Sequence, residues 1–418
     1  MRNRTLATLL VGLAARIELA SFAGHPVDMT LLAYSSRLYY ETGRFDILFP
    51  SLPLIYYIQL PFYSLYVLAR NAGIPDTAFL YHSTFMLEGL FLRLPIILSD
   101  AATFAVLLRY TGKLRYAAFY FLNPFTIYLT GAWGMYDSLM MFPMVVGFVS
   151  LARDNRRLAS VSFAISGLLK LFGFIPFALL GIENLLQRRF REFAIQVGLG
   201  LALTLVVFAP YFQSGLEGFY VGFVLRFLGF SGARTRVYNV FSALSGVRFG
   251  GSSPYLWLGA AIVPGIFLLE RARSKSSFRV ILLPTIIGTV ILDIFSQSEP
   301  QWLSWIIPLS LLYAFATHRD GLASYSYFFG VMCTVLTTTL LQTSGYLAEG
   351  IPFVLFKAFE GIPGGLLVYS ITIIGLLFLI LGYTFSKPVR FKIEIPALVA
   401  IVYLQAYFWF SVMRVVSV

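Results

Sequence analysis

Carboxylate and basic side chains in this sequence stand at the ends of long apolar segments, where polar chemistry could take place beside a membrane. Asp28 follows the first apolar segment, and Asp137 lies in the polar turn of residues 133–138, Trp-Gly-Met-Tyr-Asp-Ser. Lys170 ends a further, short apolar segment. Ionisable groups at membrane depth are costly and mark functional sites by default. A carboxylate can take the proton of an acceptor hydroxyl, while cations hold a phosphate leaving group.

The composition is that of a membrane protein with many spans. Of 418 residues, 58% are hydrophobic and 12% are charged, with a mean hydropathy of +0.80, whereas soluble domains carry about 25% charged residues. The net charge of +12 does not indicate nucleic acid, because the basic residues form short clusters between apolar segments, as in cytoplasmic loops. A single cysteine, Cys333, excludes an intrachain disulfide.

The apolar segments predict an all-α polytopic membrane protein with about thirteen transmembrane helices. The first could pass for a signal peptide, but Arg16 and Glu18 interrupt its apolar core, so we predict a membrane helix. Two short helices are predicted to turn near Lys170, because basic clusters flank the pair on both sides. The approximate ranges are 5–23, 86–108, 116–132, 137–152, 158–170, 172–187, 193–212, 254–270, 278–295, 301–317, 322–343, 363–385 and 394–413.

The apolar segment 51–69 decides which side of the membrane each loop lies on. It is long enough to span, but Pro53 and Pro61 interrupt it. If it does not span, 19 of the 31 basic residues are cytoplasmic, nine are outside and three lie within spans; if it does span, the two sides exchange. Cytoplasmic loops of membrane proteins generally carry more Lys and Arg than outer loops, so the first arrangement is favoured. We therefore predict a long first outer loop, about residues 24–85, with interfacial or re-entrant helices, an inside N-terminus and an outside C-terminus.

This topology gathers the polar candidates on the outer face of the membrane. They come from the first outer loop, the turn at 133–138, the turn at 170, the loop 213–253 and the last polar turn. The candidates are His25, Asp28, Arg37, Tyr136, Asp137, Lys170, Arg234, Arg236, Asn239, Glu299, Gln301 and Trp302.

Several segments resemble the GT-C glycosyltransferases, multispanning enzymes that use polyprenyl- or dolichyl-phosphate sugars. Residues 25–57 resemble their first outer loop, in which an acid precedes an aromatic-rich helix and a Tyr-Pro-Pro-Leu motif, here Phe-Pro-Ser-Leu-Pro-Leu at 49–54. Residues 92–110 resemble the next helix. Residues 123–139 are similar to an Asn-Pro followed by Trp-Gly-Gln-x-Asp-Ser, with Met135 replacing the glutamine, and residues 296–313 are similar to a segment of the first GPI mannosyltransferase.

The resemblance implies a catalytic transmembrane module over residues 1–310 and further membrane helices of unknown role over 311–418. The implied reaction transfers a hexose, mannose or glucose, from a lipid phosphate sugar to a glycan, lipid or protein acceptor at the extracytoplasmic face of the cell membrane. Asp28 would be the general base, and Lys170, Arg234 and Arg236 would bind the lipid phosphate. The family often has two acids in its first loop, whereas Asp28 stands alone, so no cofactor is predicted and a divalent metal is left open.

Asp137, Glu299 and Gln301 would shape the sugar or acceptor pocket.

The candidates also have structural interpretations, which the sequence leaves open. Asp28 could cap a helix beginning near Thr30, and Asp137 could cap the helix at 138–152. Lys170 could extend its ammonium group to the membrane interface, and His25 could cap the end of a helix. Glu299 could be a solvated acid in a turn, and Arg234 and Arg236 could lie in an ordinary exposed loop. Asp100, within a span, is predicted to pair with a polar partner in the bundle.

A different class of function is also compatible with this pattern. A secondary transporter or a flippase for lipid-linked sugars would have many spans, proline-interrupted helices and intramembrane charges. No internal repeat is evident, and the polar groups cluster at one face instead of at the midplane, which favours the enzyme. A third alternative is a non-catalytic subunit of a lipid-modifying complex.

Overall fold

The computed structural model describes residues 2–22, 24, 26–43, 54–76, 85–209, 254–295 and 300–343. These residues form helices and no strand, which confirms the all-α prediction for the described part of the chain. The loop 213–253 and the predicted spans 363–385 and 394–413 lie outside the described residues.

The helix bounds follow the predicted apolar segments closely. The predicted break at Lys170 is confirmed, whereas the predicted helix 116–132 is divided near Asn123 and ends in a π-helix, Tyr128–Trp133. Short 3-10 turns occupy Leu171–Gly173 and Pro300–Trp305. In chain order, the α-helices are α1 (Arg2–Phe22), α2 (Pro26–Thr42), α3 (Leu54–Asn71), α4 (Met86–Thr111), α5 (Leu114–Phe121), α6 (Pro124–Ile127), α7 (Asp137–Ala152), α8 (Arg156–Leu169), α9 (Phe174–Leu186), α10 (Phe190–Phe208), α11 (Pro254–Arg273), α12 (Ser277–Phe295), α13 (Ile306–Ala316) and α14 (Asp320–Thr343).

Helices α4 and α10 are long and apolar enough, by length and composition, to cross a membrane. On α10, the side chains of Leu201, Leu205 and Val206 are 59%, 59% and 71% exposed. A stripe of large apolar side chains is disfavoured in water, and lipid acyl chains would cover it at no cost. Together with the composition, this surface indicates an integral membrane protein.

Helix α7 lies at the centre of the bundle. Its side chains are buried on nearly every side, and Met140, Met144 and Phe148, which are four residues apart, are fully buried. A helix that is apolar all round belongs in the interior of a bundle. Its neighbours include α4, which carries Arg93 and Asp100, and α8, which begins at Arg156 and ends before Lys170.

A polar network joins four helices at the end of the bundle where α8 begins. The guanidinium of Arg156 donates to Asn184 Oδ1 at 2.7 Å and to Ser277 Oγ at 2.6 Å. Glu183, on the same helix as Asn184, accepts a hydrogen bond from Arg271 at 2.7 Å. Basic turns that the sequence predicts to be cytoplasmic therefore meet at one end of the bundle. Helix α8 runs from this end towards Lys170, which lies near the opposite end of the bundle.

A buried ion pair links α1 to α4 inside the bundle. Arg16 Nε donates to Asp100 Oδ2 at 2.8 Å, and the Tyr120 hydroxyl donates to the other oxygen of the same carboxylate. Arg16 also donates to the hydroxyls of Thr126 and Thr130, both at 3.1 Å. The predicted polar partner of Asp100 is thus Arg16, and the pair also fixes the segment that leads into the π-helix.

Replacing Arg16 by Met should destabilise the protein by about 3–5 kcal/mol, because Asp100 would stay buried without its partner charge. Adding Asp100→Leu should recover most of that loss. Thermal unfolding in detergent micelles measures both effects. The matched control is Arg157→Met, which removes an exposed pair with Glu192 (3.3 Å) and should cost at most about 1 kcal/mol. Equal losses for Arg16→Met and Arg157→Met would contradict the assignment.

Candidate functional site

The first half of the site is a hydrogen bond between Asp28 and Trp133. Asp28 is partly exposed and lies in the first turn of α2, where a helix dipole favours negative charge. The indole Nε1 of Trp133 donates to Asp28 Oδ2 at 2.6 Å. Because α2 begins at Pro26, Asp28 is inside the helix, and the expected helix start near Thr30 is wrong.

Trp133 is placed by a short segment that begins at Asn123 and ends at Gly134. Asn123 Oδ1 accepts a hydrogen bond from the backbone N–H of Phe125 at 3.0 Å, and Pro124 takes the first helical position, where its missing N–H costs nothing. The chain then widens into the π-helix, a rare form that is frequent at functional sites. The Asn-Pro and Trp-Gly motifs thus begin and end the segment that presents Trp133 to Asp28.

The second half of the site is an ion pair between Asp137 and Lys170. Lys170 Nζ lies 2.8 Å from Asp137 Oδ1, and the indole N–H of Trp305 donates to the same oxygen. Asp137 is the first residue of α7 and is buried; the N-cap position belongs to Tyr136. The carboxylate of Asp137 therefore serves a tertiary ion pair, and the capping interpretation of this residue is wrong.

Lys170 is held in the site by its backbone and by the rings around it. It ends α8 in an extended conformation (φ −147°, ψ 133°), and its ammonium lies 5.0 Å from the ring centre of Tyr136. The chain can fold back here because Gly173 has no side chain: a Cβ on it would lie 2.3 Å from the backbone nitrogen of Gly167. With only 16% of its side chain exposed, Lys170 faces Asp137 and does not extend along the surface.

Three aromatic rings are stacked beside the ion pair. Trp302 lies over Trp305 with ring centres 5.7 Å apart, and Phe172 lies against Trp305 at 4.7 Å. The candidate Trp302 is partly exposed, whereas Trp305 is buried. Trp305 was not among the predicted site residues. The spacing of Trp302 and Trp305, three residues apart in a helical segment, is the signal that could have found it, since such residues share one face.

Gly134 brings the two halves of the site together. Its φ is +89°, and a Cβ on it would lie 2.3 Å from Met29 Sδ and 2.8 Å from Arg93 Nε. Met29 follows Asp28 in α2, and Gly134 precedes Asp137 by three residues. Asp28, Trp133, Asp137 and Lys170 therefore belong to one chain of contacts at the end of the bundle opposite to Arg156.

Arg37 lies away from this chain of contacts. It is nine residues after Asp28 on α2, which is about 14 Å along a helix. Its guanidinium donates to both carboxylate oxygens of Glu88, at 2.7 and 2.5 Å, and this hydrogen bonding raises the pKa of Arg37. The structure thus gives Arg37 the role of joining α2 to the first turn of α4, and its assignment to substrate binding remains a prediction.

The remaining candidates cannot be placed in this geometry. His25, Arg234, Arg236, Asn239, Glu299 and the side chain of Gln301 lie outside the described residues. Within the part of the chain that the structure describes, no group of three or more His, Cys, Asp and Glu side chains could hold a metal ion.

Comparisons with known proteins give a structural likeness and no match by sequence. No family model matches the sequence, and no curated protein matches it. Among solved structures, the chain is similar to the crystal structure of ArnT from Cupriavidus metallidurans bound to undecaprenyl phosphate, with a TM-score of 0.48 and 17% sequence identity. The likeness covers 91% of this chain and 76% of that chain.

Replacing Gly134 by Ala should disrupt the site far more than the same change at Gly112. Both glycines have a left-handed backbone, at φ +89° and +65°, but nothing lies within 4 Å of a Cβ on Gly112. Each alanine should cost about 1–2 kcal/mol for its backbone conformation, and Gly134→Ala should cost roughly 1–3 kcal/mol more for the contacts with Met29 and Arg93. Thermal unfolding of both variants measures the difference; equal losses would show that Gly134 is not packed as described.

Proposed function

We propose that this protein is a membrane glycosyltransferase of the GT-C type. It transfers a hexose, mannose or glucose, from a polyprenyl or dolichyl phosphate sugar to an acceptor at the extracytoplasmic face. The observation that carries the proposal is the partly exposed Asp28 carboxylate, which the Trp133 indole orients at 2.6 Å. It stands in one chain of contacts with a second carboxylate, a lysine and a partly exposed tryptophan.

Asp28 acts as the general base in a single displacement with inversion. Its carboxylate takes the proton of the acceptor hydroxyl while the hydroxyl oxygen forms a bond to the anomeric carbon of the sugar. The bond from that carbon to the phosphate oxygen breaks, and the lipid phosphate leaves with the electron pair. The hydrogen bond from Trp133 Nε1 to Asp28 Oδ2 fixes the plane of the carboxylate before the substrate binds. Little conformational entropy is therefore lost in orienting the base towards the acceptor hydroxyl.

Asp137 and the aromatic stack form the sugar subsite. Asp137 Oδ2 is buried and has no hydrogen-bond partner among the described residues, and a buried acceptor without a donor is costly. A sugar hydroxyl would supply that donor. Trp302 is partly exposed and stacked on Trp305. The face of its ring is apolar and carries partial negative charge, so it can pack against the C–H groups on one side of the same sugar.

Lys170 and the basic loop residues receive the leaving phosphate. An ammonium group carries three donors, so the bond between Lys170 and Asp137 does not by itself exclude a phosphate oxygen. The predicted partners Arg234 and Arg236 lie outside the described residues. Cations placed where negative charge develops stabilise the transition state of such a transfer, and this gives Lys170 a role in turnover beyond its ion pair.

Asp28→Asn should abolish transfer from labelled lipid phosphate sugars without unfolding the protein, because the amide keeps the shape of the side chain and cannot accept the proton. Turnover is measured on purified protein in detergent with several polyprenyl phosphate hexoses, and folding is followed by thermal unfolding. Asp154→Asn is the matched control, since that carboxylate is 75% exposed at the opposite end of the bundle. Retained turnover in Asp28→Asn would refute the base assignment.

Trp302→Ala should raise the KM for the sugar donor about fivefold, because one aromatic contact is worth roughly 1 kcal/mol. Trp302→Phe should keep most of the affinity, since an aromatic face remains. Initial rates over a range of donor concentrations separate KM from kcat for both variants. An unchanged KM in Trp302→Ala would remove Trp302 from the sugar subsite.

A further inference from the structure

Arg93 is a cation beside the site for which the described part of the chain provides no carboxylate partner. It lies on α4 and is fully buried, and within the described part of the chain it makes no ion pair with a carboxylate. Its Nη2 has no hydrogen-bond partner there. A buried guanidinium without compensation costs several kcal/mol. The contacts that it does make must therefore explain why the bundle tolerates it.

Arg93 contacts three segments that meet at the site. Its Nη1 donates to the carbonyl oxygen of Ala20 at 3.0 Å and to that of Gly131 at 2.9 Å. Its Nε lies 3.4 Å from Met29 Sδ. Ala20 is in the last turn of α1, Gly131 in the last turn of the π-helix, and Met29 beside Asp28 in α2. One guanidinium thus connects the first helix, the π-helix and the first turn of α2.

The two carbonyl groups provide the missing negative charge. The last four carbonyls of a helix have no partner within it, and Ala20 and Gly131 lie among them in their helices. The C-terminal end of an α-helix carries roughly −0.5 of an elementary charge, which a cation stabilises. Arg93 donates to a carbonyl at each of these two helix ends, and their dipoles offset part of its charge without a carboxylate.

Gly134 holds Arg93 close to the turn that follows Trp133. A Cβ on Gly134 would lie 2.8 Å from Arg93 Nε, so the glycine admits the guanidinium against the backbone. Gly131, two residues before Trp133, is packed as tightly on the other side: a Cβ there would lie 3.1 Å from the Cα of Arg16. The backbone on both sides of Trp133 is therefore set by contacts that include Arg93.

We infer that Arg93 is a positioning residue for the transfer reaction, which holds the Trp133 indole against the carboxylate of Asp28. It does so by fixing the Gly131 carbonyl, the backbone at Gly134 and Met29 in one arrangement. The inference rests on the proposed function for its effect on turnover, but not for its effect on the position of Trp133. Without Arg93, the Gly131 carbonyl loses its donor and the end of the π-helix can move away from α2.

Kinetics test the inference through a double-mutant cycle. Arg93→Met should lower kcat about 10²-fold while KM changes less than roughly threefold, because misplacement of a catalytic group acts on the transition state. Arg93→Lys, which keeps the charge and can still donate to a carbonyl, should restore part of kcat. If Arg93 acts through Trp133, Arg93→Met combined with Trp133→Phe should lose no more kcat than the larger of the two single losses. Additive losses would overturn the inference.

A measurement on Trp133 itself separates this inference from the proposed function. The chain has five tryptophans, so protein labelled with 5-fluorotryptophan should give at most five fluorine resonances, and Trp133→Phe identifies the one from Trp133. Arg93→Met should shift or broaden that resonance and leave the Trp305 resonance in place. Ile96→Ala, a fully buried apolar change on the same helix, should leave the Trp133 resonance unchanged and serves as the control for lost stability.

The outcomes of the two experiments are distinct. An unmoved Trp133 resonance in both Arg93→Met and Arg93→Gln would overturn the positioning role, whatever the activity. A wild-type protein that turns over none of the lipid phosphate sugars, with a displaced Trp133 resonance in Arg93→Met, would sink the proposed function and leave Arg93 as the residue that fixes Trp133.

Discussion

A charge inside an apolar helical bundle must be compensated by other groups of the protein, because no water is present to solvate it. Among the described residues, the bundle does this in two ways, by ion pairs with aspartates and by hydrogen bonds to backbone carbonyls. Arg16 is paired with Asp100, Lys170 is paired with Asp137, and Arg93 caps the carbonyl ends of two helices. Each solution joins segments that are far apart in the sequence. Charge compensation therefore selects which apolar helices lie together, a choice that apolar packing alone leaves open.

The same constraint gives the two carboxylates of the site different environments. Trp133 and Trp305 each donate an indole N–H to one of them, and the buried Asp137 also faces the ammonium group of Lys170. A carboxylate neutralised by a lysine and buried under aromatic rings suits hydrogen bonding to a neutral hydroxyl. Asp28 is partly exposed, so an acceptor hydroxyl can reach it, which suits proton abstraction. Two acids of the same type can thus take two roles because of their surroundings.

The sequence was informative where a signal is local and silent where it depends on distant partners. Apolar length and basic clusters placed the helices and the break at Lys170, since both signals act within one segment. The spacing of Trp302 and Trp305 indicates a shared face, but nothing local marks the partner of Trp305, because Asp137 is 168 residues away. Nothing local indicates that Arg37 pairs with Glu88, 51 residues later. Arg93 is bound largely by backbone carbonyls, which every residue possesses and which no motif can signal.

The short length of α8 explains why the Lys170 turn carries such compensation. Its 14 residues, Arg156–Leu169, extend about 21 Å, whereas the apolar core of a bilayer is about 30 Å thick. The basic clusters predict that the Arg156 network lies at the cytoplasmic boundary of that layer, and α8 would then place Lys170 just below the outer boundary. A lysine at that depth needs an acid and aromatic cover, which Asp137, Tyr136 and Trp305 provide. The same depth suits the proposed donor, because a phosphate carried on a lipid chain can approach the Lys170 turn laterally from within the membrane.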